Sequence, residues 1–262
     1  MDLIAVKLQE AVKASVIGID QVNCLGEIES KSRHDYVSKL DLELQNRLII
    51  NIAKILPGTE IYSEENVSEY QDIKGNAVII DPLDGTFNAI SEIPFYAISI
   101  AYIKDNIPVI GITYDIKNDE IFVGIKNLGM FVNGKKALAN IKHEFSKSIA
   151  ISSGFIELAA RKNPKILSAL GEEARIRMLG SQALQLAYVA AGRIRANINY
   201  EAKYWDDIAG YVMLNEMGFV YGDFNGQKIF PKSYIDSKEN LKSFAYHPND
   251  SEKLANILKD LI

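Results

Sequence analysis

The chain has 262 residues, 48% hydrophobic and 24% charged, enough to bury a substantial core as one large domain or two fused halves. A formal net charge of -5 and a pI near 5.4 imply no broad basic surface, so nucleic acid is not expected as a main partner. Cys24 is the only cysteine, which precludes an internal disulfide or a thiolate metal cluster and fits a reducing cytoplasm.

Residues 1–24 read as an amphipathic helix. Asp2, Lys7, Glu10 and Lys13 interrupt any signal-peptide core, while Leu3, Ile4, Val6, Leu8, Ala11, Val12 and Val16 supply an apolar face. No run of about 18 apolar residues occurs, so no membrane span is expected. Residues 38–56 repeat the helical spacing through Leu40, Leu44, Leu48, Ile52 and Ile55, and Pro57-Gly58 stops it. A short strand Glu60–Tyr62 leads to the acidic Ser63-Glu64-Glu65-Asn66. Ala77–Ile80 reads as a buried strand that ends at Asp81, because Pro82 has no N–H for a central ladder.

A meander follows: Tyr96–Ile103, Pro108–Tyr114, Glu120–Gly124 and Gly129–Val132 are rich in Ile, Val, Tyr and Phe, with turn residues between them. The second half alternates. Strands are expected at Ser148–Ser152, Ala174–Met178, Arg195–Ile198 and Ser243–Tyr246. Helices are expected at 155–170, Gln182–Ala191, Asp206–Met217 and 250–261. The pattern is α+β in layers, as two αβ halves joined near 142–147 without a flexible linker.

The stretch Val78–Ala89, VIIDPLDGTFNA, sets Asp81 and Asp84 around a turn. Gly85 permits close backbone approach, and Thr86 is suited to N-cap a short helix whose free amides attract phosphate oxygens. Two capping aspartates in a turn are the bland reading. Glu64-Glu65 upstream and Trp205-Asp206-Asp207 downstream shift it, since together they supply the oxygen ligands Mg²⁺ prefers. A cation would also make an acidic protein attractive to an anion. His34, His143 and His247 have no zinc-like spacing and read as structural or surface residues.

These segments, YSEEN, DPLDGTFNA and WDDIAG, together with Lys31 before DYVSKLD and with GSQALQLAYVAAGR, resemble the inositol monophosphatase family of Mg²⁺-dependent, lithium-sensitive phosphatases. The resemblance spans nearly the whole chain. DPLDGTFNA followed by Ile93-Pro94 is most similar to archaeal members, some of which also hydrolyse fructose 1,6-bisphosphate. It implies an αβαβα sandwich acting as a single catalytic unit over 1–262, with a metal-binding half (about 1–145) and a substrate-side half (about 146–262). It implies a homodimer acting on a small phosphorylated metabolite; charge, hydropathy and the single cysteine add a cytoplasmic location with neither nucleic acid nor membrane as partner.

The resemblance also implies roles. Glu64, Asp81 and the Leu83 carbonyl would hold one Mg²⁺, and Asp81, Asp84 and Asp206 a second. Glu65 or Glu64 would lie near a third, weaker ion. Thr86, bonded to Asp41, would orient the attacking water with Glu64, and Lys31 would add positive potential. The amides of Gly85 and Thr86 would take phosphate. Gly180, Ser181, Gln182 and Glu201 would line the alcohol side, with Asp84 and Asp206 at its metal end. Two cations about 4 Å apart could activate water and stabilise the leaving alkoxide, for a reaction that is extremely slow uncatalysed.

The chain departs from the family's pattern at Gln182, usually small, at Asp207, usually apolar, at Ala89, usually aromatic, and in a shorter Glu201–Trp205 stretch. These touch substrate identity. myo-Inositol 1-phosphate is the first choice. Fructose 1,6-bisphosphate (alone or as a second activity), 3′-phosphoadenosine 5′-phosphate, histidinol phosphate and NADP are alternatives. An aspartyl-phosphate mechanism needs a single residue between its two aspartates, whereas Pro82-Leu83 puts two between Asp81 and Asp84. A metal-binding relative without activity is the non-enzymatic alternative.

Overall fold

The computed structural model describes residues 2–19, 28–32, 35–67, 69–138 and 147–258. Asp2 caps the first helix, α1 (Leu3–Val16), its Oδ1 accepting from the Ile4 amide at 2.8 Å. Strands β1 (Ile28–Ser32) and β2 (Asp35–Ser38) form a ribbon that leads into α2 (Lys39–Ile55). Next come β3 (Glu60–Ser63), a 3-10 turn at Glu64–Asn66, β4 (Tyr70–Asp72), β5 (Ala77–Asp84) and the short α3 (Thr86–Ile90). The meander is β6 (Ala97–Lys104), β7 (Ile107–Asp115), β8 (Glu120–Ile125), β9 (Gly129–Val132) and β10 (Lys135–Lys136). Beyond it lie β11 (Ser148–Ile151), α4 (Ser153–Lys162), α5 (Lys165–Glu173), β12 (Arg175–Arg177), α6 (Gln182–Ala190) and β13 (Ala196–Ile198). The chain continues through α7 (Tyr204–Glu216), β14 (Val220–Asp223), β15 (Tyr234–Asp236), β16 (Ser243–Tyr246) and α8 (Ser251–Leu258).

One sheet has the order β10-β9-β8-β7-β6-β5-β3 and is antiparallel except for β3 beside β5. A second has the order β12-β11-β13-β16-β14. Side-chain alternation sorts the layers. On the first sheet Val78, Ile80, Ile98, Ile100, Ile112 and Val123 bury against α1 and α2. Their neighbours Ile79, Ala97, Ala101 and Phe122 turn to the other face, toward α6 and α7. On the second sheet Ala150 and Ala245 face α6 and α7, while Ile149, Ile151, Ala196, Ile198 and Phe244 pack with α4, α5 and α8. Helices α6 and α7 are therefore a shared middle layer, and the order is αβαβα, the layered α+β fold expected from the sequence.

Several boundaries differ from the sequence expectations for identifiable reasons. The first helix ends at Val16 rather than 24, where Ile17 becomes extended and Gly18 takes φ 68°; residues 20–24 lie outside the described set. The helix expected over 155–170 is two, α4 and α5, split at Asn163-Pro164 because proline cannot donate into a continuing helix. Pro82 does not end β5: the ladder skips from Asp81, paired with Ser99, to Asp84, paired with Ala97, and Pro82-Leu83 occupy the bulge. Short β4, β14 and β15 carry too few apolar residues to announce themselves. The expected junction at 142–147 falls, apart from residue 147, outside the described residues, as do Cys24, His34 and His143. His247 packs edge-on against Phe219.

Candidate active site

Residues three apart on a regular strand point to opposite faces. The bulge at Pro82-Leu83 removes that constraint, so Asp81 and Asp84 open into one space. The first turn of α7 brings Asp206 to it. Ligand oxygens of Asp81, Asp84 and Asp206 all lie within 4.8 Å of one another, the first two buried.

Each carboxylate is held by donors that are not cations. Asp81 Oδ1 accepts from the Leu83 amide at 2.9 Å. Asp84 Oδ2 accepts from the Ser181 hydroxyl at 2.5 Å and the Ala183 amide at 2.6 Å. Asp206 Oδ2 accepts from the Lys203 amide at 2.7 Å, closing the start of α7. Burial, then the charges of Glu64, Asp84 and Asp206, push the Asp81 carboxyl well above the usual range. Burial raises Asp84 to about 6 against the opposing Ser181, Ala183 and Gln182 donors. Asp206 is raised well above its ordinary value by burial, then by Asp84 and Glu64. A small oxygen-lined space with crowded carboxylates is what a hard divalent cation relieves, so this donor set fits Mg²⁺.

Glu64 and Glu65 sit half-buried on the 3-10 turn after β3, and the charge of Glu64 reaches both Asp81 and Asp206. Thr86 opens α3, but the N-cap is Gly85, whose φ of 95° places the turn in the left-handed region. The expected capping role of Thr86 is thereby corrected: its hydroxyl instead lies 2.9 Å from Asp41 Oδ1 and 3.0 Å from the Leu83 carbonyl. Asp41 is itself buried in the first turn of α2, its other oxygen accepting from the Ser38 amide and hydroxyl. Lys31 lies on β1.

The substrate-side expectations divide. Gly180 is exposed, and a Cβ there would meet the Asn88 side chain at 2.8 Å. Glu201 is exposed beside the start of α4, accepting from the Ser153 hydroxyl at 2.8 Å. Ser181 and Gln182 do not line open space. Ser181 is fully buried on Asp84, and Gln182, 5% exposed, donates from Nε2 to Asp207 Oδ1 at 2.7 Å and to Asn197 Oδ1 at 3.1 Å. Their position follows from α6 being sandwiched between the sheets. Trp205 is buried, as its place at the helix start suggested, and its carbonyl accepts from Ser99.

Asn88 was not singled out from the sequence. Its Nδ2 donates to the carbonyls of Phe95 and Leu179, each at 2.7 Å, tying α3 to the segment that delivers Ser181. Its place in the same motif as the aspartates was the available signal. Asp207 is likewise central, with Oδ2 accepting from the Tyr221 hydroxyl at 2.8 Å. Burial raises its carboxyl to about 6, against the Gln182 and Tyr221 donors.

A family model described as the inositol monophosphatase family matches residues 2–261. An inositol-1-monophosphatase of Bacillus subtilis is 35% identical over 82% of this chain and 81% of its own length. A fructose-1,6-bisphosphatase/inositol-1-monophosphatase of Thermotoga maritima is 30% identical over 78% of each. Among solved structures, the extragenic suppressor protein suhB of Bartonella henselae superposes with a TM-score of 0.80 at 28% identity, covering 98% of this chain and 97% of that one.

Proposed function

Because this chain belongs to the inositol monophosphatase family of metal-dependent phosphatases, we propose that it hydrolyses myo-inositol 1-phosphate to inositol and phosphate. The observation that carries the reading is the convergence of Asp81, Asp84 and Asp206 within 4.8 Å, beside the Thr86–Asp41 pair. The Bacillus relative's name supports the choice of substrate. The Thermotoga relative's name supports a second reading, in which fructose 1,6-bisphosphate is also a substrate.

Asp81, Asp84 and Asp206 would hold Mg²⁺, with Glu64 and the Leu83 carbonyl completing the set for two ions and Glu65 near a third. Bound there, Mg²⁺ neutralises phosphoryl charge and lowers the pKa of water. The chain's own groups position the reaction. Thr86 commits its proton to Asp41 or Leu83, which leaves its oxygen lone pairs to accept from the attacking water. Glu64 orients the same water by accepting a hydrogen bond from it. The amides of Gly85 and Thr86 take phosphate oxygens, Lys31 adds positive potential, and Gly180 and Glu201 bound the alcohol side. Ser181 and Gln182 act from beneath, by holding Asp84 and α6.

The reading includes a homodimer in the cytoplasm, supported by the family resemblance and by the single cysteine. No helix among the described residues is long and apolar enough to cross a membrane. Phosphate release with Mg²⁺ from inositol 1-phosphate, fructose 1,6-bisphosphate, 3′-phosphoadenosine 5′-phosphate, histidinol phosphate and NADP tests the substrate. Preference for the first, lost in Asp81→Asn, is expected. Preference for another member reassigns the substrate, and no turnover of any leaves a metal-binding relative without this activity.

A further inference from the structure

Gln182 lies between Ser181 and Ala183, which hold Asp84, and its side chain reaches the residue that follows Asp206. It is the first residue of α6, next to Ala183, whose amide donates to Asp84 Oδ2 at 2.6 Å. Its side chain reaches α7, with Nε2 donating to Asp207 Oδ1 at 2.7 Å. Asp207 is fully buried and directly follows Asp206. Asn197 from β13 accepts the second Nε2 hydrogen and Tyr221 from β14 donates to Asp207 Oδ2, while the Gln182 Oε1 is buried without a hydrogen-bond partner. Gln182 therefore has neither exposure nor spare donors for a substrate.

Two apolar residues would fill this layer without the desolvation cost of an amide and a carboxylate. A directional bond between them does what apolar contact does not: it fixes the start of α6 against the start of α7. Those two starts carry the groups that hold Asp84 and the residue Asp206 itself.

We propose that the Gln182–Asp207 hydrogen bond is a brace that sets the spacing of Asp84 and Asp206, and so the affinity of the cluster for divalent cations. The pair is positioning, not catalytic, and the inference rests on the metal-dependent phosphatase reading. Because the bond acts as one unit, losing either partner should have the same effect as losing both.

The test is direct titration of Mn²⁺ into the purified chain and into Gln182→Ala, Asp207→Val, the double variant and Asp207→Asn, with thermal melts alongside. Either single substitution should raise the Mn²⁺ dissociation constant by roughly tenfold, the range for groups that orient metal ligands. The double variant should be no weaker than the worse single. Asp207→Asn keeps an acceptor oxygen for Gln182 and should stay within about threefold of wild type on the same scale. In turnover assays the half-saturating Mg²⁺ should rise in the singles while KM for the phosphate ester holds. If the single variants melt lower yet bind Mn²⁺ as wild type does, the pair is merely structural and the brace is wrong. Additive losses in the double variant, or an Asp207→Asn as weak as Asp207→Val, also overturn it. If Asp207→Val does not fold, Gln182→Ala alone decides, and unchanged Mn²⁺ affinity there refutes the brace. A wild-type chain that binds no Mn²⁺ overturns the metal reading itself, a separate outcome.

Discussion

The Thr86 hydroxyl lies 2.9 Å from Asp41 Oδ1, joining the start of α3 to the first turn of α2 across 45 residues of chain. Asp41 is pinned from its other side by Ser38, so the acceptor cannot swing away. A hydroxyl oriented this way is a fixed dipole beside the carboxylates rather than a freely rotating one. Thr86→Val preserves the shape of the side chain and removes the hydroxyl. Turnover should fall by about 100-fold, the lower range for a group that handles the reacting proton, while Thr86→Ser should retain most of it. Equal kcat in Thr86→Val and wild type would remove Thr86 from the mechanism.

Asp81→Asn separates binding of metal from stability. Asp81 is raised by burial and by three neighbouring carboxylates, so neutralising it relieves repulsion in the metal-free chain. The variant should melt no lower than wild type without metal. It should also lose more than roughly tenfold in turnover, the cost of disturbing even outer groups of metal sites. A variant that keeps over a tenth of wild-type turnover would contradict the assignment of Asp81 as a ligand.

The same crowding gives the metal-free chain a characteristic pH dependence. Burial raises Asp84 and Asp207 to about 6 in the folded chain, against about 3.8 unfolded, and holds Asp81 and Asp206 well above their ordinary value. The folded state then holds protons that the unfolded state has released. Stability from these groups is full below the unfolded value and is lost as pH rises through the folded ones. Without metal, the melting temperature should decline as pH rises from 3.8 through about 6. Mg²⁺ needs the deprotonated carboxylates, so its stabilising shift should grow over the same window. A metal-free melting temperature that climbs through it, with a constant Mg²⁺ shift, would show the cluster to be less coupled than its geometry implies.

The long elements were legible because periodicity carries over many residues: α2, α6, α7 and the meander lie within a residue or two of expectation. So was the convergence of Asp81, Asp84 and Asp206, since motif order preserves chemistry. What sequence could not reveal was direction. Ser181 and Gln182 lie in the segment expected on the substrate side but turn inward, because a helix between two sheets buries nearly every face. Gln182 and Asp207, read separately as departures from the family pattern, are hydrogen-bonded to each other, a relation that needs the packing of α6 on α7. The bulge at Pro82-Leu83 was hidden for the opposite reason: a local rule about proline predicts a strand end, and the sheet resumes pairing two residues later.

Gly111 offers a test of how closely α7, and with it Asp206, must approach the first sheet. A Cβ built on this β7 residue would lie 2.2 Å from the Ala209 carbonyl oxygen and 3.0 Å from its Cα, so the helix backbone itself would have to move. Gly111→Ala should cost about 1–3 kcal/mol, as overpacking does in close-packed interiors. Because Ala209 is one turn from Asp206 on the same helix, the variant should also need more Mg²⁺ for half-maximal turnover. Gly171 in α5 is the control: nothing lies within 4 Å of an added Cβ, and its φ is not in the left-handed region. Gly171→Ala should therefore stabilise by up to about 1 kcal/mol through helix propensity, with no change in Mg²⁺ dependence. Denaturant melts of both variants decide the matter. A Gly111→Ala chain as stable as wild type would mean that α7 can shift outward freely, and the 2.2 Å approach would not be what sets the height of Asp206 above the sheet.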